Sequence, residues 1–290
     1  MTDVPGNDAP VPGLVLVSTP IGNLGDVTSR ALATLRDADL VLCEDTRVTA
    51  RLLSANAIGV RTQPLHDYNE EQRIPGLLDL LRAGKRVALV SDAGTPLVSD
   101  PGFRLVRAAL AAGLPVGAVP GANAAVLALV LSGLPPHPFL FLGFTPAKAS
   151  ARQADFAKLR AAERAGLSAT LIWYEAPHRL AEALADMLAA FGDRPAVVAR
   201  ELTKRFEEVR RATLTGLAEH YATEAARGEV TVLVGPAPEE TTDTADLDDL
   251  LAAALRGHSV KDAAAMVATA SGLPRKMVYA RALLLVKRIP

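Results

Sequence analysis

A single cysteine, Cys43, stands in the whole 290-residue chain. One thiol cannot close an internal disulfide, so the fold must hold together without covalent staples, as suits a reducing compartment. Its apolar neighbours mark Cys43 as a core residue. Net charge is scarce as well: 31 Lys and Arg against 32 Asp and Glu leave −1 at pH 7. A general electrostatic grip on a polyanion is excluded, and any such grip has to be local. Residues 108–147 contain no Asp, Glu, Lys or Arg at all. That raises the question of a membrane span, but Pro115, Pro120, Pro135, Pro136 and Pro138 cut the stretch into pieces. The longest, 121–134, falls short of the ~20 apolar residues a spanning helix needs. A buried helix is expected there, and no membrane partner. Residues 1–12 (MTDVPGNDAPVP) are polar and lack a basic n-region, so a disordered tail rather than a signal peptide is expected.

Familiar motifs are missing too. There is no G-x-x-x-x-G-K-[ST] phosphate loop, and no G-x-G-x-x-G after the first strand, where Gly22 and Gly25 stand three apart. No Cys or His pair has metal-ligand spacing, so no metal is expected. No G-x-S-x-G elbow is present.

What is there centres on residues 87–102 (VALVSDAGTPLVSDPG). Val87 to Val90 is a short, wholly apolar run, the signature of a strand covered on both faces of a parallel sheet. Ser91 to Pro96 is loop chemistry. Gly94 lets a ligand approach the backbone, and Asp92 offers an anionic acceptor for an ammonium or a hydroxyl. Asp100-Pro101 reads as a helix start, with Asp as cap and Pro at the first helical position. The loop therefore lies at the carboxyl end of a strand, where open α/β sheets bind ligands.

Strands at 13–18, 40–43, 87–90 and 115–119 alternate with helical segments, which predicts a parallel α/β sheet over 13–119. A second α/β domain is expected over 120–236, with strands at 139–144, 169–174, 196–199 and 229–235. A polar, acidic linker, 237–246, leads to a small helical module, 247–290. Ser259 is a candidate cap there, and Gly272-Leu273-Pro274 a turn. Arg275, Lys276, Arg281, Lys287 and Arg288 give the module a basic face, of helix-turn-helix sort in outline. Five strand ends carry dense polar clusters, at 19–23, 44–47, 91–95, 174–179 and 200–204. In a parallel sheet such ends gather on one edge, and charges concentrate there when a ligand needs them.

The segments STPIGNLGDVTSRAL, CEDTRVTARLL, VSDAGTPLVSDPG, PGANA, GFTPAK, YEAPHRL and RELTK occur in order between Gly13 and Pro236. In them the chain resembles the ribosomal RNA small-subunit methyltransferase I family, a branch of the tetrapyrrole-methylase-like (class III) S-adenosylmethionine methyltransferases. The resemblance implies two α/β domains with the methyl donor, S-adenosylmethionine, in the cleft between them. It implies transfer of a methyl group to the ribose 2′-hydroxyl of a cytidine in the decoding region of 16S rRNA. The substrate would be the rRNA or an assembling 30S particle, the enzyme a cytoplasmic homodimer. The donor loop would comprise Ser91, Asp92, Ala93, Gly94, Thr95, Val98 and Ser99, with Asn123 and Ala124 on a second wall and Tyr174 closing the adenosine side. Asn23, Lys148, Arg152, His178 and Arg179 would meet RNA. The chain departs from the family in Ala122-Asn123-Ala124, where Pro-Ser-Ala is common, in Thr145 and Ala147 of GFTPAK, and in LHDYNE at 65–70.

A 2′-hydroxyl is weakly acidic and needs an acceptor or a stabilising cation. Glu44, Asp45, Glu175 and Glu201 are candidates for the acceptor, with His178 a further possible base. Arg47, Arg179 and Lys204 are candidates for holding phosphate or a developing oxyanion. Basic patches at 147–164, 200–211 and the C-terminus would carry RNA recognition. Two other readings remain: a small-molecule, tetrapyrrole-like methyltransferase of the same fold, and a non-catalytic ribosome-binding α/β protein.

Overall fold

The structure, a computed structural model, describes residues 13–238, 244–271, 273 and 275–286. The expected tail over 1–12, part of the linker, Gly272, Pro274, Lys287 and Arg288 lie outside the described residues. The chain divides into two compact units after Ala237.

The first unit begins with β1 (Leu14–Val17), α1 (Ser29–Asp37), β2 (Leu40–Cys43), α2 (Thr46–Ala55), β3 (Thr62–Pro64), α3 (Glu70–Arg82), β4 (Val87–Val90), α4 (Phe103–Ala111) and β5 (Val116–Val119). The strands pair in the order β3-β2-β4-β1-β5, all parallel. Side chains alternate across a strand, and here both faces are apolar. Val15, Val17, Val41, Cys43, Ala88 and Val90 pack with Ala31 and Leu35 of α1 and Leu52 and Leu53 of α2. Leu14, Leu40, Leu42, Val87 and Leu89 pack with Leu77 and Leu81 of α3 and Leu105 and Ala109 of α4. Burial on both faces is why these strands read as unbroken apolar runs. Thr28 caps α1 through the Ala31 N–H, and Asp45 caps α2 through the Arg47 N–H.

Asp100 does not cap α4. The helix starts at Phe103, after Gly102 in a left-handed conformation at φ 120°. Leu97 and Ser99 also have positive φ, 71° and 68°, so the chain loops through residues 97–102 before it can turn helical. A Cβ on Gly102 would lie 2.4 Å from Leu89 Cδ2, so only glycine lets the loop pass so close to β4.

The second half of this unit contains α5 (Ala124–Ser132), β6 (Phe139–Phe144), α6 (Ala149–Arg164), β7 (Thr170–Glu175), α7 (Leu180–Phe191), β8 (Pro195–Arg200), β9 (Glu208–Thr213), α8 (Leu214–Thr223) and β10 (Val230–Val234). Its sheet is mixed, in the order β6-β7-β10-β8-β9, with β10 antiparallel to both neighbours β7 and β8. One face packs Leu171, Trp173, Val198 and Val232 against Phe156 of α6, Leu184 of α7 and Leu217 of α8. The other packs Ile172, Val197, Ala199 and Leu233 against Ala125, Ala128 and Leu129 of α5. The uncharged segment is thus a helix with one face buried, while Val126 and Val130 on its other side are exposed. Residues 200–211, expected as a basic patch that begins with the strand-end cluster 200–204, run into the edge strand β9. Two of its arginines are engaged: Arg210 by Glu208, which also holds Arg200, and Arg211 by the Leu131 carbonyl.

In the second unit α9 (Thr244–Leu255), α10 (Val260–Ser271) and α11 (Arg275–Val286) enclose Leu251, Ala264, Val267, Val278 and Ala282. Ser259 caps α10 through the Asp262 N–H. Arg281, expected on a basic face, is held by both oxygens of Asp248 at 2.6 and 2.7 Å. Among the described residues no helix is long and apolar enough to cross a membrane.

Candidate active site

Because the first sheet is parallel, the loops after β1, β2 and β4 share one edge. They are tied to each other. Thr19 and Gly94 exchange both backbone hydrogen bonds, 2.9 and 3.1 Å, and the Thr19 hydroxyl donates to the Ser91 carbonyl. Asp92 Oδ1 accepts the Asp45 N–H at 3.0 Å. The Ser91 hydroxyl, buried, donates to the carbonyls of Ala93 and Gly94. Ser91 therefore shapes the loop from beneath, whereas Asp92 to Thr95, Val98 and Ser99 face a cavity of about 330 Å³. Gly94 has φ +79°, and a Cβ there would sit 3.3 Å from Ile21 Cγ2 and 3.5 Å from the Ala122 carbonyl. The loop thus presents bare backbone to the cavity.

The second sheet supplies the opposite wall. β7 and β8 each pair antiparallel with β10, so they run in the same direction and their carboxyl ends lie on one edge. The start of β10 lies between them, bringing Gly228, Glu229 and Val230 to the cavity. Tyr174, edge-on to Phe141 and Phe144, lines it together with Ala124 and Asn123, whose side chain caps α5 through the Val126 N–H. Burial pushes the Tyr174 phenol up, so it stays protonated. Among the described residues the wall contains four acids, Asp92, Asp100, Glu175 and Glu229, and no Lys, Arg or His. Burial, then the neighbouring Glu44 charge, raises the Asp100 carboxyl to about 6.

Two further recesses adjoin Asp92. One is bordered by Gly22, Val48, Arg51, Lys204 and Glu229. The other is bordered by Glu44, Asp45, Arg47, Pro64, His66 and Tyr68. Asp92 belongs to the walls of all three spaces.

The other expected site residues fall into distinct places. Asp45 is gripped by Arg47, which holds its carboxyl down at about 2. Glu175 is buried and takes hydrogen bonds from the Thr145 hydroxyl and the Ala176 N–H and an ion pair from Arg179. Arg179 is therefore spent on Glu175 rather than offered to RNA. Lys204 bridges Glu201 at 2.8 Å and Glu229 at 3.1 Å. Burial works against its charge, yet the two carboxylates outweigh that and raise its pKa. Arg152 corrects its expectation as an RNA contact: it is 1 % exposed and braces α6 to α7 through Asp186. Asn23 is exposed and caps a short 3-10 turn, residues 24–26. Lys148 and His178 are exposed and border none of the three spaces. Glu44 alone of the four acceptor candidates has no hydrogen-bond or ion-pair partner among the described residues. Burial and the Asp92 charge raise its pKa. Asp100 and Glu229 were not among the expected site residues. The first lies beyond the strand-end clusters, in the loop before α4, and only the antiparallel placement of β10 reveals the second. Among the described residues no group of three or more His, Cys, Asp or Glu side chains is arranged to hold a metal ion.

Residues 13–218 match the tetrapyrrole (corrin/porphyrin) methylases, and residues 241–285 match the RsmI C-terminal HTH domain. The chain is 47% identical over 274 residues to the ribosomal RNA small subunit methyltransferase I of Mesorhizobium japonicum, covering 94% of this chain and 92% of that one. Against the protein of the same name from Pseudomonas aeruginosa the identity is 44%, covering 93% and 96%. Among solved structures, the methyltransferase CobJ aligns with a TM-score of 0.58 at 22% identity, over 78% of this chain and 94% of that one. Uroporphyrin-III C-methyltransferase from Thermus thermophilus, solved with S-adenosylhomocysteine, aligns with a TM-score of 0.53 at 24% identity, over 77% and 97%. A fold of two sheets flanking an acid-walled cavity, matched along most of its length, places this chain in the tetrapyrrole methylase family and, within it, among the ribosomal RNA small subunit methyltransferases I.

Proposed function

We propose that the protein transfers a methyl group from S-adenosylmethionine to the ribose 2′-hydroxyl of a cytidine in the decoding region of small-subunit rRNA. The observation that carries the donor assignment is the cavity wall, which among the described residues holds four acids and no Lys, Arg or His, and in which Asp92 and Asp100 remain for a sulfonium and an ammonium once Glu175 and Glu229 are paired with Arg179 and Lys204. The residues fit in other respects. Gly94 leaves the space that a Cβ would fill. Tyr174, Val98 and Val230 offer an apolar surface for a purine, and the volume of about 330 Å³ lies within the range of small-ligand sites. The donor supplies an electrophilic methyl group on its sulfur. The chain's part is alignment: the 91–99 loop fixes the donor, and the recesses beside Asp92 fix the acceptor ribose, so that much of the rate comes from positioning.

Among the recesses, the one that Arg51 borders suits a phosphate, because Arg51 makes no ion pair among the described residues, whereas Lys204 beside it is held by Glu201 and Glu229. The relatives named for ribosomal RNA stand far closer in sequence than the corrin and porphyrin enzymes, whose likeness is one of fold. This favours an RNA substrate over a tetrapyrrole. The cytoplasm, where small subunits assemble, is the corresponding location. A homodimer is part of the same reading, supported by the apolar residues Phe139, Leu140 and Phe144 exposed on the edge strand β6.

The test is methylation of small subunits purified from cells that lack the protein, with labelled donor and mapping of the modified nucleotide. Label on a cytidine ribose of the decoding region is expected. Donor binding without transfer to any rRNA would overturn the reading, and so would label on a base.

A further inference from the structure

The recess beside the 44–47 turn is not needed to hold the donor, yet it opens at the same Asp92. Its space is about 550 Å³. Tyr68, on its rim, is 99% exposed. This is not a frayed tip. The Leu65 N–H donates to the Cys43 carbonyl at 2.8 Å, the His66 N–H to Asn69 Oδ1 at 2.9 Å, and the Asn69 N–H back to the His66 carbonyl at 2.9 Å. The phenol ring touches only the edge of His66, centroids 6.2 Å apart. An ordered loop therefore holds a whole aromatic face in water. Glu44 borders the same recess, and its carboxylate makes no hydrogen bond or ion pair among the described residues. Of the two basic residues among its described lining, Arg47 is locked onto Asp45 at 2.6 Å and His66 has Nε2 3.0 Å from the Asn69 amide nitrogen, against the acids Glu44, Asp45 and Asp92. A phosphate is repelled from such a place, and an amine is attracted to it.

We propose that this recess seats the base of the target nucleotide, with Tyr68 as the stacking face and Glu44 accepting the exocyclic amine of cytosine. The inference rests on the reading of the protein as a cytidine 2′-O-methyltransferase and adds where the base goes and why it is cytosine. The geometry is consistent from end to end: a ribose brought to the donor cavity at Asp92 carries its base to one side. Its phosphates then have the neighbouring recess that Arg51 borders, which shares Asp92 with both spaces. Cytosine presents an N4 amine donor where uracil presents an O4 acceptor, and an ionised carboxylate pairs with the first and repels the second. Tyr68 then serves as a stacking platform for a base taken out of its helix.

The experiment compares wild type, Glu44→Gln, Tyr68→Ala and Tyr68→Phe on two substrates. These are small subunits lacking the methyl group, and the same particles with the target cytidine changed to uridine. Donor affinity is measured calorimetrically for each protein as a control of the neighbouring cavity. Glu44→Gln is expected to cut the cytidine-over-uridine preference in kcat/KM roughly ten-fold or more, because an amide can face either base. Tyr68→Ala is expected to raise KM roughly ten-fold, with Tyr68→Phe restoring it. Two results overturn the inference while leaving the methyltransferase reading intact. One is variants that match wild type in rate and preference. The other is a Glu44→Gln that slows both substrates equally, which would make Glu44 a proton acceptor instead. A wild-type protein inactive on small subunits would remove the functional reading and this inference together.

Discussion

Asp92 and Asp45 sit on neighbouring strand ends, and the Asp92 carboxylate takes the Asp45 backbone N–H at 3.0 Å. One side chain thereby joins the loop that faces the donor cavity to the turn that opens helix α2. An amide at position 92 can still accept that hydrogen bond but carries no charge. Asp92→Asn is therefore expected to weaken donor binding about ten-fold or more in calorimetry, with a melting temperature close to wild type. Unchanged donor affinity would show that the charge of Asp92 plays no part in binding.

Gly94→Ala addresses the bare backbone of the same loop. Its φ of +79° costs a side-chain-bearing residue roughly 1–2 kcal/mol, and the new methyl would press on Ile21. Donor binding is expected to fall sharply, beyond what the modest loss of stability in denaturant titration accounts for. A variant that melts lower yet binds the donor as wild type does would separate the loop from the site.

The raised Asp100 carboxyl makes donor binding pH-dependent. Burial favours its protonated form, with a pKa of about 6 against an ordinary value of 3.8. A bound cation favours the ionised form, so affinity is expected to climb as pH rises through about 6. For folding the sign is opposite. The folded chain holds this proton more tightly than the unfolded one, so this group's contribution falls as pH rises from about 4 to about 6 and stays low above that. Asp100→Asn is expected to flatten the affinity profile and to raise, or leave unchanged, the donor-free melting temperature at pH 7.5. Calorimetry and melting curves across pH 5–8 check both halves.

Arg152 separates architecture from RNA binding. Its guanidinium is buried on Asp186, and removing one partner of a buried pair leaves the other uncompensated. Arg152→Ala is expected to cost about 3–5 kcal/mol in denaturant unfolding. The slope of RNA affinity against salt should stay as in wild type for whatever fraction folds. A shallower slope would return Arg152 to the list of phosphate contacts.

The strands at the centre of the first sheet were legible because burial on both faces leaves nothing but apolar residues in Leu40–Cys43 and Val87–Val90. β3 and β9 were not. Thr62–Pro64 is three residues long, and Glu208–Thr213 is charged, so each owes its extended form to the strand it pairs with. Residues 91–96 were legible as a loop at the carboxyl end of a strand, with Gly94 as the residue free to take a positive φ. Asp100 was not, because Asp-Pro is good cap chemistry locally, and the left-handed turns at Leu97 and Ser99 that carry it into the cavity are set by packing against β4. Arg152 was expected to meet RNA because its true partner, Asp186, is on the next helix and out of reach of any local pattern. Glu229 carries no such signal, because α/β sheets gather ligands where strands finish and β10 reaches this cavity where it begins.

That last strand has a consequence for how the protein is made. β10 is the middle of the second sheet and the final strand of its unit, so during synthesis β7 and β8 have no partner between them until Val230–Val234 emerges. The donor cavity borrows Gly228, Glu229 and Val230 from the same stretch. A chain cut before this stretch has every earlier loop in hand and still lacks one wall of the cavity, which closes only when Val230–Val234 takes its place between β7 and β8.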